Sequence, residues 1–140
     1  MSFAWVSNRH MIHIVRFFSR RLPNEGPRFG TVRRPPRGVP KADYTKLNIY
    51  DVWFPNLAPS AELFASVNDE GISWERWRKK FIAEMRQPEP SRVLDVFAKL
   101  SHQTNFAIGC YCQHEERCHR SILRELLKQR GAKLSHRPKD

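Results

Sequence analysis

The chain has 140 residues, 40% of them hydrophobic, which is enough for one domain with a single core. A formal charge of +11 and a pI near 10.2 favour polyanionic partners but carry no specificity. Three cysteines, an odd and clustered set, exclude a secreted disulfide framework and point to a reducing, cytoplasmic setting.

Residues 1–10 lack periodicity and are expected to form a disordered extension. A single domain is expected over 11–132, with a basic tail at 133–140 that frays. From Met11 to Phe17, Ile12 and Ile14 alternate with His13, Val15 and Phe17, which predicts a strand. Asn24 to Pro27 has the composition of a turn. Arg28 to Arg33, with Phe29, Thr31 and Val32, reads as a weaker second strand. Arg33 to Lys41 is the most basic stretch, and Pro35, Pro36 and Pro40 exclude both helix and central strand. It is predicted to be a loop, either solvated or in contact with phosphate, whose geometry guanidinium forks match.

Tyr44 to Leu57 is predicted to be irregular or a short helix. Ser60 has the character of a helix N-cap, with Glu62 in the first turn. Asn68 to Gly71 reads as a turn, and Ser73 caps a helix to Arg86 whose Trp74, Trp77, Phe81 and Met85 recur at core spacing. Gln87 to Pro90 breaks the chain. Ser91 to Gln103 is predicted as a helix that buries Val93, Val96, Phe97 and Leu100. Asn105 to Gly131 then reads as a buried strand, a polar loop and an amphipathic helix. The fold class is α/β: a single small, largely parallel sheet covered by helices and ending in a strand-loop-helix unit. No apolar run approaches the ~20 residues that span a bilayer, so no membrane partner is expected.

Chemistry concentrates in the last unit. Cys110 and Cys112 share a strand face, while Cys118 and His119 begin the apolar side of the helix. A helix N-terminus offers unpaired N–H groups and a positive dipole end, which favours an anion and a lowered thiol pKa. The leading expectation is therefore an anionic ligand, phosphorylated or nucleotide-like, with thiol-based chemistry. Its catalytic candidates are Cys118, Cys112 and His119. Arg33, Arg37, Lys41, Arg117 and Arg120 are the ligand-binding candidates, and no cofactor is expected. One alternative is a metal site, with zinc held by Cys110, Cys112, Cys118 and His119 or His114, although the spacing is not the usual paired Cys-x-x-Cys. In another, the cysteines are small buried hydrophobes. A fourth reading is a nucleic-acid-binding accessory protein without chemistry.

Several motifs occur in one order: Glu25-Gly26, Arg28, Arg33, Pro36-Arg37-Gly38-Val39 with Lys41, Leu57-Ala58-Pro59-Ser60 with Glu62-Leu63, and a helix with Trp77, Phe81 and Glu84. Cys112, Cys118-His119-Arg120 and Leu123 close the set. Over residues 11–132 the chain resembles the YeaO-like family, a group classed as a domain of unknown function. Family members commonly carry Asp-Arg-x-Trp-Pro-Arg-Gly; here Val32 stands at the Asp position and Pro35 at the Trp position. The resemblance implies a compact cytosolic α/β fold and brings the Arg33–Lys41 loop toward the Cys-His-Arg site. It supplies no activity.

Overall fold

The computed structural model describes residues 10–69 and 71–136. The strands are β1 (Ile12–Arg16), β2 (Arg28–Gly30), β3 (Val52–Trp53) and β4 (Phe106–Cys110). They form one sheet in the order β1-β4-β2-β3, and each neighbouring pair is parallel. The helices are α1 (Ala61–Asp69), α2 (Trp74–Met85), α3 (Pro88–Leu100) and α4 (His119–Gln129). The expected α/β arrangement is present, with β4, a 3-10 turn and α4 as the closing unit.

The main core lies between sheet and helices. Ile12, Ile14, Phe106 and Ile108 of the sheet meet Leu63, Trp77, Phe81, Leu94, Phe97, Leu123 and Leu127 from the helices. Fully burying a side chain such as Phe81 or Leu94 contributes roughly 1.5–3 kcal/mol. The expected stripe on α2 is in place: Trp77, Phe81 and Met85 are buried and Trp74 packs against them. Both serine caps are also formed. Ser60 Oγ accepts from the Leu63 amide at 3.1 Å, and Ser73 Oγ from the Arg76 amide at 3.2 Å.

Four local expectations need correction. Tyr44 to Leu57 contributes a short edge strand, β3, because its backbone joins β2 through the Phe54 amide and the Gly30 carbonyl at 2.9 Å. Asn68 and Asp69, expected in a turn, lie within α1. The prolines after Gln87 start α3 rather than breaking the chain; Pro88 sits at its first turn, where a missing N–H costs nothing. That helix also buries Leu94, Phe97 and Ala98 while Val96 and Leu100 are exposed, so the inward face is rotated from the one expected. Two overlapping apolar sets at helical spacing made the faces interchangeable in sequence.

The tail does not fray where it is described. The Ile12 amide donates to Lys133 O at 2.9 Å, the Ser135 amide donates to Ile12 O at 2.9 Å, and Leu134 bridges Ile12 in parallel. Residues 1–9 and 137–140 lie outside the described residues. On the sheet's other side, Arg28 is fully buried and donates from Nε and Nη2 to Glu25 at 2.9 and 3.0 Å. Its Nη1 donates to the Asn48 carbonyl at 2.8 Å. This buried pair anchors the segments that lead toward the site.

Candidate functional site: three sulfurs at the end of the central strand

β4 is buried along its whole length and lies between β1 and β2, so its C-terminal end emerges in the middle of the sheet edge. Parallel sheets present ligand sites at that edge. A side chain at Gly109 would put its Cβ 2.9 Å from the Phe17 ring and 3.0 Å from Val15, so glycine lets the segment after β1 close over β4. Cys110 ends the strand, Cys112 follows two residues on, and Glu115–Arg117 forms a 3-10 turn. Cys118 is the N-cap of α4, its sulfur accepting from the Arg120 amide at 3.5 Å. Two ion-pair bonds hold the turn in place: Arg124 Nε and Nη2 donate to Glu115 at 2.6 and 3.1 Å.

The result is a triangle of sulfurs. Cys110 Sγ is 3.5 Å from Cys112 Sγ and 3.5 Å from Cys118 Sγ, and the three lie within 4.8 Å of one another. Cys110 and Cys118 are buried against Phe17, Val32, Ile49 and Tyr50, whereas Cys112 is exposed. The Cys112 amide also points at Cys110 Sγ, at 3.4 Å.

Donors surround Cys118. Arg120 Nε lies 3.4 Å from its sulfur, while Nη2 of the same guanidinium donates to the Cys112 carbonyl at 2.6 Å. His119 Nε2 donates to the Thr31 carbonyl at 2.5 Å, which leaves Nδ1 facing Cys118 Sγ at 3.7 Å. The thiols of Cys110 and Cys112 donate toward Cys118 and, with His119, hold its pKa well below the usual thiol range despite burial. The Cys112 thiol, whose proton is shared with Cys110 and Cys118, is pushed up. Cys110 rises to about 12, because the hydrogen bond from Cys112, which lowers it, is outweighed by its own bond to Cys118 and by burial. Burial opposes charge on His119, but the adjacent Cys118 thiolate raises its pKa. These contacts favour negative charge on Cys118, whose sulfur faces the His119 imidazole and the Arg120 guanidinium.

The structure brings together Cys110, Cys112, Cys118, His119 and Arg120 from the candidates. His119 touches only Cys118 among the sulfurs and is outside the group of mutually close ligand atoms. Arg33 is used elsewhere: its guanidinium donates to the carbonyls of Pro59 at 2.8 Å and Pro55 at 3.2 Å. Arg37, Lys41 and Arg117 are exposed. The basic loop is near the cluster through Val39, which packs against the group containing Cys110 and Cys118. Thr31 and the Glu115–Arg124 pair orient the site, and neither had a signal in the sequence. The Thr31 contact is a backbone carbonyl 88 positions from His119.

The expectation of no cofactor is overturned. Zn–S bonds of about 2.3 Å at tetrahedral angles put sulfurs about 3.8 Å apart. Two sulfur–sulfur distances, 3.5 Å each, are near that size and all three sulfurs lie within 4.8 Å of one another, so the three cysteines form a plausible site for a zinc-class ion. Sequence spacing disfavoured this because Cys110 and Cys112 follow on one strand while Cys118 comes from a helix cap. Only the turn at Glu115–Arg117 folds them together.

Residues 12–131 match the family DUF488-N3a, described as the active DUF488-N3 subclade. No curated protein and no solved structure matches the chain. Among the described residues, no helix is long and apolar enough to cross a membrane.

Proposed function

The chain belongs to the DUF488-N3a family, and we propose from the geometry of its sulfurs that the site is a three-thiolate metal centre, with Cys110, Cys112 and Cys118 holding a zinc-class ion. The observation that carries this reading is the sulfur triangle, with Cys110 Sγ 3.5 Å from each of the other two and all three within 4.8 Å. Thiolate ligands select soft or borderline ions, and zinc is the commonest partner of clustered cysteines. Three protein ligands leave one of zinc's four positions for water or a ligand, as in catalytic zinc sites, where the ion acts as a Lewis acid. Cys112 is the exposed corner, so the open side faces solvent.

The surrounding donors fit this role. Thiolates bound to a metal keep negative charge, and N–H groups directed at sulfur tune it. Arg120 supplies two such groups to Cys118. His119, anchored on Thr31, supplies the third contact. Because His119 and the Nε and Nη2 of Arg120 are engaged with sulfur and backbone, they support a thiolate centre better than an anion bound on those same atoms.

The test is metal analysis of protein purified under reductant without added zinc. One equivalent per chain is expected, falling sharply when any one cysteine is replaced by serine. Metal-free protein that takes up no zinc or cobalt(II) on titration would overturn the proposal.

One observation favours a second reading, in which Cys118 acts as a metal-free reactive thiolate: its depressed pKa. Iodoacetamide labelling of zinc-free protein separates the two. A fast-labelling Cys118 that zinc fails to protect supports the thiol reading and counts against the metal.

A further inference from the structure

Beside the sulfur triangle, across Arg120, lies a cleft of about 340 Å3 at the outer edge of β1. None of the three cysteines lines it. Its floor is the end of β1, Ile14 to Arg16, and its walls come from the segment after β1, the loop before α4 and the tail at Ser135 and His136. The cleft is as large as the smaller pockets that take small molecules.

Its charge is uneven. Arg16 and Arg20 stand on one wall, exposed and without an ion pair among the described residues. Arg120 reaches in from the opposite wall. It is only 3% exposed, and its Nε and Nη2 are fixed on Cys118 Sγ and the Cys112 carbonyl. Its Nη1 has no hydrogen-bond partner among the described residues. The acids of the cleft are Glu115 and Glu116. Glu115 is held by both oxygens on Arg124, and Arg120 already faces the Cys118 sulfur, so Glu116 alone opposes the charges of Arg16 and Arg20. The cleft therefore carries a net positive charge, focused between walls that exclude part of the solvent.

We propose that this cleft binds a small phosphate monoester, its dianionic phosphate held between Arg16 and Arg20 on one side and Arg120 on the other. Guanidinium forks match phosphate oxygens, and a phosphate offers enough of them to reach donors on both sides. A monocarboxylate has two oxygens in one plane and engages fewer of these donors than a phosphate does. Arg120 links the cleft to the sulfur cluster, since the guanidinium that faces the phosphate also holds Cys118.

Calorimetric titration of the full chain with phenyl phosphate, and separately with benzoate, tests the assignment at low salt. Phenyl phosphate is expected to bind with one site per chain and at least about tenfold more tightly than benzoate. The double variant Arg16→Gln/Arg20→Gln changes exposed side chains only and should weaken phenyl phosphate at least about tenfold. Arg34→Gln/Arg37→Gln, on the exposed loop, removes the same charge elsewhere and should leave binding within about twofold. Equal losses in the two double variants would mean diffuse charge attraction and would overturn the assignment, as would equal binding of phosphate and carboxylate. No cluster sulfur lines the cleft, so the titration is read whether or not the chain binds zinc.

Discussion

Cys110 is the corner of the sulfur triangle, 3.5 Å from each of the other two, so its replacement is the sharpest probe of the centre. Apparent zinc binding in structural sites amounts to about 10–16 kcal/mol over four ligands, or about 2.5–4 kcal/mol per ligand. Removing one sulfur should therefore weaken zinc binding about 100- to 1,000-fold. Cys110→Ser also places a hydroxyl among Phe17, Val32 and Ile49, which costs roughly 1–3 kcal/mol of folding stability. Cys110→Ala removes the sulfur without that hydroxyl and serves as the partner variant. Competition with a chromophoric chelator gives the affinity, and urea denaturation of the zinc-free proteins gives the stability change separately. Cobalt(II) loading adds a count, because sulfur-to-metal absorbance should fall by about a third when one of three thiolates is lost. If both variants bind zinc within about threefold of the parent protein, no three-thiolate centre exists and the sulfurs are packing groups.

Other outcomes follow from the same contacts. In zinc-free protein, thiolate absorbance assigned to Cys118 should persist as pH falls below the ordinary value of 9.0 and vanish only at its lowered pKa. In Cys110→Ala, which lacks the first of its donors, the absorbance should vanish at higher pH, and an unchanged titration would show that the thiol hydrogen bond does not set it. Glu25→Gln leaves the Arg28 guanidinium charged and buried, so urea denaturation should show a loss of about 3–5 kcal/mol with zinc affinity unchanged. Gly26 has φ +78°, and a Cβ there would lie 2.0 Å from the Asn105 carbonyl oxygen. Gly26→Ala should therefore cost at least about 2 kcal/mol, and wild-type stability in the same assay would show that the turn shifts freely.

Much of the fold was legible because it rests on local periodicity. The alternation at Ile12 to Val15, the stripe of Trp77, Phe81 and Met85, and the caps at Ser60 and Ser73 each belong to one element and need no partner to be read. What escaped depends on neighbours. β3 is a two-residue edge strand defined by its pairing with Phe29 and Gly30, not by its own pattern. The inward face of α3 is chosen by what it meets, since Phe97 stacks on Phe54 at 5.6 Å and tilts against Phe29 at 5.7 Å. The site divides in the same way. The residue types of Cys110, Cys112, Cys118, His119 and Arg120 were visible as a cluster. Their roles turned on the Thr31 carbonyl, the Glu115–Arg124 pair and the turn that brings Cys118 back onto Cys110, all of which are contacts across the chain.

The short tail after Gly131 has a consequence for the sulfur loop. Ser135 accepts from Arg124 through its carbonyl and from the Ile14 amide through its hydroxyl. Arg124 in turn holds Glu115, which opens the turn leading to Cys118. A chain cut before Lys133 would thus lose more than a closing bridge. It would leave the Ile12 and Ile14 amides open to strand addition by another chain, and it would free Arg124 to release the turn. Shortening the protein at its far end is then a way to loosen the corner that carries its sulfurs while every cysteine stays in place.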